Sequence, residues 1–295
     1  MNYSIIIPHK NIPHLLQRCL ESIPRRKDVQ IIVVDDNSDP EKVNFVNFPG
    51  LNDPYVEVIF AKNEDGRKGA GYARNLGLEC ATGKWLIFAD ADDYFMPCFN
   101  ETLDKYINDE NDIIYFFVTS TDINTLQLSN RHLFTIYYME QIQKTNNWDL
   151  ACTLISPFGK FVKRNLVTNN SIFFNEVQLG NDIFFGVKIL IVAELKKISE
   201  EVIYCITSRE GSLSTHTSLK LLLVRFKELH NAIYLLKKAG RKQYLTEALY
   251  DSWMKIAKTN ILKSIVLIPQ MMNSCGVKPI ALLYVESFKK LFRKT

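Results

Sequence analysis

The sequence predicts an α/β protein: an open, mostly parallel sheet flanked by helices, followed by a helical C-terminal subdomain. Three observations predict it. Residues 3–7 and 30–34 are short strand-like runs bounded by turn formers and separated by the apolar periodicity Leu15, Leu16, Cys19, Leu20, Ile23. Strand, helix, strand in that order is a βαβ unit, a parallel pair joined by a right-handed crossover. A buried strand over 84–89 then runs directly into Asp90-Ala91-Asp92-Asp93, and open parallel sheets bind their ligands at the carboxyl ends of the strands. From Thr217 onward, Leu221, Val224, Leu229, Ile233 and Leu236 recur at helical spacing.

In chain order, the first strand is Ser4-Ile5-Ile6-Ile7-Pro8 and the second Gln30-Ile31-Ile32-Val33-Val34. A third strand is predicted at Val56–Phe60, then a helix through Ala70–Cys80 and the strand at 84–89. Beyond Pro97 come a helix near 99–108 and an apolar strand over 113–118. The stretch 119–147 is polar and mixed, and loops with an edge strand are expected there. Residues 157–200 return to helix and strand, with a helix over 183–195, and 202–206 reads as a strand. The change to an all-helical pattern predicts one domain over 1–216, with halves 1–97 and 98–216, and a helical region over 217–295. No repeat or low-complexity segment interrupts it.

Composition narrows the class. With 47% hydrophobic and 23% charged residues in 295, usage is that of a folded globular protein. Six cysteines (Cys19, Cys80, Cys98, Cys152, Cys205, Cys275) lie far apart with no C-x-x-C pair, which indicates neither a zinc site nor a disulfide framework. The opening run lacks the charged and long apolar regions of a signal peptide, and no stretch reaches the roughly 18 apolar residues of a spanning helix. A cytoplasmic protein is expected. Net charge is only +4, and basic residues are interleaved with acids, so nucleic acid is not an expected partner.

Three segments could carry chemistry. Asp90, Asp92 and Asp93 follow the apolar strand, and three carboxylates so close repel one another unless cations or donors compensate them. Mg²⁺ or Mn²⁺, held by carboxylates together with substrate phosphates, would do so; a solvated acidic turn that caps the helix starting near Pro97 is the alternative. Asp35-Asp36-Asn37-Ser38 also follows a buried strand; its side chains either accept from a base N–H or a ribose hydroxyl or cap the next helix. Gly66-Arg67-Lys68-Gly69-Ala70-Gly71-Tyr72-Ala73-Arg74-Asn75 joins glycines to cations at a helix start, which suits a diphosphate. It is no dinucleotide fingerprint, because Arg74 stands where the third glycine belongs.

Taken together, Ser4–Pro8, Val34-Asp35-Asp36-Asn37-Ser38, Ala73-Arg74-Asn75-Leu76-Gly77, Ala81-Thr82-Gly83-Lys84-Trp85-Leu86-Ile87-Phe88 and Asp90-Ala91-Asp92-Asp93 resemble, in order and spacing, the family 2 glycosyltransferases of the GT-A (Rossmann-like) fold. The resemblance is dense over residues 3–97. It implies an inverting enzyme that takes a nucleotide-sugar donor, by resemblance a UDP-sugar, and a glycan or lipid-linked acceptor. Pro8, Lys68 and Arg74 would line the donor site, with Asp36 at the base and Asp90 near the ribose. Asp92, with Asp93, would hold Mn²⁺ or Mg²⁺. Where the family often has a stacking aromatic after the first strand, this chain has His9-Lys10-Asn11.

Further on, Pro157-Phe158-Gly159-Lys160-Phe161-Val162-Lys163-Arg164 resembles the family's acceptor-side segment. The family's Glu-Asp pair at the catalytic base is Asn181-Asp182 here. By resemblance Asp182 is the base; read alone, it equally fits a cap on the helix that follows. Arg209-Glu210-Gly211-Ser212-Leu213-Ser214-Thr215-His216 resembles a loop that closes over the diphosphate, with Arg209 and His216 as contacts, or is a plain connector. Residues 279–294 place Ala281, Val285, Phe288 and Phe292 on one helical face among Lys289, Lys290, Arg293 and Lys294. Such a helix either lies peripherally on an anionic membrane or packs on the protein with a basic rim. Two rival functions remain: a catalytically silent nucleotide-sugar binder, and a nucleotidyltransferase. The latter would want a glycine-rich loop after the first strand, which Pro8-His9-Lys10-Asn11 does not supply.

Overall fold

The computed structural model describes residues 1–62, 69–208, 218–242 and 244–276. The chain divides into two compact units, Met1–Thr215 and His216–Thr295. In the first, β1 (Tyr3–His9), β2 (Val29–Asp35), β3 (Val56–Phe60) and β4 (Trp85–Phe88) are joined by α1 (Pro13–Glu21) and α2 (Ala70–Cys80). Further along come β5 (Tyr94–Phe95), α3 (Phe99–Tyr106), β6 (Ile113–Asp122), α4 (Leu133–Thr145), β7 (Lys160–Lys163), α5 (Arg164–Asn169), α6 (Asn181–Val192) and β8 (Lys196–Ser208). Among the described residues these strands form one sheet in the order β3-β2-β1-β4-β7-β6-β8-β5.

The sheet is mixed. β3, β2, β1 and β4 run parallel, as do β6 and β8, while β7 is antiparallel to both of its neighbours and β5 to β8. β1 and β4 are buried along almost their whole length, as central strands covered on both faces must be. One face packs Tyr3, Ile5, Ile7, Trp85, Ile87, Phe116 and Phe161 against Leu16, Leu20, Phe99 and Leu103. Because β1, β2 and β4 are parallel, their carboxyl ends lie side by side, and Pro8–His9, Asp35–Asp36 and Asp90–Asp93 all fall along that edge.

The structure corrects the reading of 119–147. β6 continues to Asp122, a loop follows that touches β6 through one isolated bridge from Leu128 to Thr121, and the rest is the helix α4, where loops and an edge strand were expected. Of α4, only Met139 and Ile142 are buried, so the helix carries no broad apolar stripe to reveal it in the sequence. The expected helix at 183–195 begins at Asn181 and ends at Val192, and β8 extends beyond 202–206 at both ends.

In the second unit, α7 (Leu219–Lys238), α8 (Thr246–Thr259), α9 (Ile261–Val266) and α10 (Ile268–Cys275) bury Phe226, Leu229, Ile233, Leu236, Leu249, Trp253 and Ile256. Trp253 Nε1 donates to Ser264 O at 2.8 Å and fastens α9 to α8. No described helix is long and apolar enough to cross a membrane.

Candidate active site at the carboxyl edge of the sheet

At the end of β2 the two neighbouring acids have different surroundings. Asp35 is buried and accepts from His9 Nδ1 at 2.7 Å, Ser38 N at 2.9 Å and Ser38 Oγ at 2.5 Å. His9 Nε2 accepts from Ile12 N at 3.1 Å, so the ring proton is on Nδ1 and is given to Asp35. Burial would raise the Asp35 carboxyl, but the bonds from His9 and Ser38 outweigh it and hold the carboxyl below its usual range. Asp35 is therefore a fastener of the β1 and β2 ends. Asp36 instead meets Lys10, whose Nζ lies 3.1 Å from Oδ2, and accepts from Gly69 N at 2.9 Å on Oδ1. Gly69 is the N-cap of α2, so the Asp36 carboxylate sits where a helix N-terminus favours negative charge.

Arg74, on α2, points into the protein. Its guanidinium donates to Asp90 Oδ1 at 2.5 Å and to Asn181 Oδ1 at 2.8 Å, and lies 5.3 Å from the centre of the Phe174 ring. It thus links the end of β4 to the first residue of α6. The approach of these elements depends on Gly71, where a Cβ atom would stand 2.2 Å from Asn175 O. One turn on, Asn75 clamps the same segment by donating to Phe174 O at 3.0 Å and accepting from Phe174 N at 2.9 Å.

The acidic cluster follows β4. Asp90, Asp92 and Asp93 each offer a carboxylate oxygen, and these lie within 4.8 Å of one another. Burial, followed by the neighbouring charges, raises Asp93 well above the usual carboxylate range; burial, Asp92 and Asp182 raise Asp90, against the pull of Arg74. Asp93 is fastened to β8, accepting from Thr207 N at 2.7 Å on Oδ1. The Tyr204 hydroxyl accepts from Asp90 N at 2.8 Å and bonds Asp93. Arg18 donates to Asp92 O at 2.5 Å, holding the turn from the α1 side. Tyr204 and Thr207 lie over 110 residues from their partners Asp90 and Asp93, and no local pattern could have singled them out.

Asp182 lies in the first turn of α6. The N-cap is Gly180, at φ 80°, with no side-chain cap hydrogen bond, so the capping alternative does not describe Asp182. Its charge acts on Asp90 across the site. The structure thus gathers Pro8, Asp36, Arg74, Asp90, Asp92, Asp93 and Asp182 along one edge. Lys68, Arg209 and His216 lie outside the described residues, as do residues 279–294.

Against known proteins, the profile of glycosyl transferase family 2 matches residues 4–169, more than half of the chain. The chain belongs to that family. Glycosyltransferase GlyA of Streptococcus pneumoniae is 25% identical over 274 residues, covering 87% of this chain and 38% of that protein. The uncharacterized glycosyltransferase YibD of Escherichia coli is 36% identical over 102 residues, covering 34% of this chain and 28% of the relative. The chain thus spans well under half the length of both. Among solved structures, S. aureus TarS 1–349 in complex with UDP-GlcNAc aligns with a TM-score of 0.65 at 20% identity, over 93% of this chain and 79% of that one. The mannosyltransferase PcManGT of Pyrobaculum calidifontis, in complex with GDP-Man and Mn²⁺, aligns at 0.56 and 14% identity, over 98% and 80%. These likenesses show the GT-A-like α/β fold.

Proposed function

We propose that this chain is an inverting glycosyltransferase that moves a sugar from a nucleotide-diphosphate donor, a UDP-sugar, to a glycan or lipid-linked acceptor in surface polysaccharide synthesis. One observation carries the reading: Arg74 joins Asp90 of the acidic cluster to the first residue of α6, so the donor acids and Asp182 share one edge of a family 2 fold. TarS bound to UDP-GlcNAc supports the donor class. In this reading Pro8 and Asp36 border the nucleoside, Asp90 the ribose, and Lys68, Arg74, Arg209 and His216 belong to the diphosphate side.

The acidic cluster fits a divalent ion. Its oxygens are hard donors within 4.8 Å of one another, the chemistry such an ion takes, and burial together with the neighbouring carboxylates raises Asp90 and Asp93, opposed at Asp90 by Arg74. Asp92 and Asp93, beside Asp90, would hold Mn²⁺ or Mg²⁺. When bound, the ion supplies Lewis-acid stabilisation of charge on the departing nucleoside diphosphate. Asp182 takes the proton from the acceptor hydroxyl as that oxygen attacks the anomeric carbon from the side opposite the leaving group. Arg74 keeps Asp90 and α6 in register, so that donor and base meet in one geometry. We place the protein in the cytoplasm, with residues 279–294 as its peripheral contact with an anionic membrane; loss of vesicle binding on truncation at 276 is the expected result.

The test is a panel of UDP-, GDP- and CMP-sugars with Mn²⁺, followed by slow donor hydrolysis, beside Asp92→Ala. Turnover of one donor that the variant loses is the expected result. Binding without turnover would favour the silent binder or a strict acceptor requirement, and no binding of any donor would overturn the assignment.

A further inference from the structure

Lys160 lies on β7, paired with Tyr115 of β6, and is 4% exposed. Its Nζ donates to Leu154 O at 2.6 Å and to Ser156 O, and lies 5.4 Å from the centre of the Tyr115 ring. A buried ammonium is costly, and an apolar side chain could fill the same space without that cost. What the lysine adds is a tie between the two carbonyls that flank Ile155. The backbone at Ile155 rests directly on α6: a Cβ atom at Gly186 would stand 2.8 Å from Ile155 O and 2.9 Å from Ile155 Cα. Gly186 follows Asp182 by four residues, one turn along the same helix face.

We propose that Lys160 is a positioning residue, clamping residues 154–156 against the face of α6 that carries Asp182 and so fixing the base relative to the donor. The proposal rests on Asp182 being the base. Burial lowers Lys160 to about 7, while the Asp182 charge acts to raise it. Ammonium and neutral amine alike have the two N–H donors that the two carbonyls need, so the clamp persists through that titration.

The experiment follows hydrolysis of whichever panel donor the wild-type chain turns over, so no acceptor has to be known. Lys160→Met keeps the stem and removes the donors. The expected result is a fall in kcat on the order of tenfold to a hundredfold, as misplacement of a base by a fraction of an ångström to an ångström produces, with donor KM within about twofold of wild type. Gly186→Ala leaves Lys160 intact but drives Ile155 off the helix, and should give the same split; it decides the matter if Lys160→Met does not fold. Unchanged kcat, or kcat and donor affinity lost together, overturns the proposal. Asp182→Asn is run alongside: wild-type hydrolysis by that variant would refute the base assignment itself, a failure visible without either clamp variant.

Discussion

Replacing Asp35 by asparagine should unfasten the turn that presents Asp36. The Asp35 side chain is 1% exposed, and Oδ1 takes bonds from His9 Nδ1 and Ser38 Oγ while Oδ2 takes the one from Ser38 N. In the better amide orientation the carbonyl keeps the Oδ1 position and an NH₂ faces the Ser38 N–H. That leaves a buried donor without an acceptor, costing about 1–3 kcal/mol, and strips charge assistance from two bonds at about 1 kcal/mol each. A total of about 3–5 kcal/mol would lower the melting temperature by about 10 °C, at about 2–4 °C per kcal/mol for a unit of this size. The pH dependence has a fixed sign. The carboxyl is held below its usual value in the fold, so its stabilisation is complete above the unfolded pKa and is lost as pH falls through the folded one. Calorimetric melts between neutral and acidic pH should show a large deficit in Asp35→Asn at neutral pH that narrows in acid. A deficit under about 1 kcal/mol, or one independent of pH, would refute the account of Asp35 as a charged fastener.

Three further outcomes are expected. Gly71→Ala should lower stability by about 1–3 kcal/mol from overpacking against Asn175 O, even though alanine favours helix by about 1 kcal/mol; a stabilised variant in urea denaturation would contradict the close approach. Because Lys160 titrates at about 7 in the fold against 10.5 ordinarily, the folded chain binds fewer protons across that window and this group's contribution to stability rises with pH there. Lys160→Met should flatten that rise in melts, and an unchanged slope would count against the buried titration. Arg74→Met should cost about 1–3 kcal/mol, below the usual figure for breaking a fully buried pair because the Asp90 side chain keeps 34% of its surface in solvent while Arg74 is buried; circular-dichroism melts check it.

Much of this was legible because β1, β2 and β4 are buried on both faces, which turns them into uninterrupted apolar runs such as Ile5-Ile6-Ile7 and Trp85-Leu86-Ile87-Phe88. The acids at their ends were legible for the same reason, since a carboxylate directly after such a run lies at the sheet edge. β7 has four residues and α4 two buried ones, so neither carries a period long enough to read. Partners across the chain were equally hidden. Local sequence shows two acids at 35 and 36 but not that one is spent on His9 and the other turned to Lys10 and Gly69, because those donors come from the end of β1, the residue after it and the N-cap of α2.

The departure at Asn181 shows what the pairing across the chain explains. The resemblance leads one to expect Glu-Asp at 181 and 182, and the structure puts residue 181 on the Arg74 fork that also holds Asp90. A carboxylate there would add a charge to an edge that already carries Asp90, Asp92, Asp93 and Asp182, where burial and mutual repulsion have raised Asp90 and Asp93. An amide oxygen accepts the same hydrogen bond from Arg74 with no added charge. The guanidinium charge is then left to Asp90, and α6 keeps its anchor.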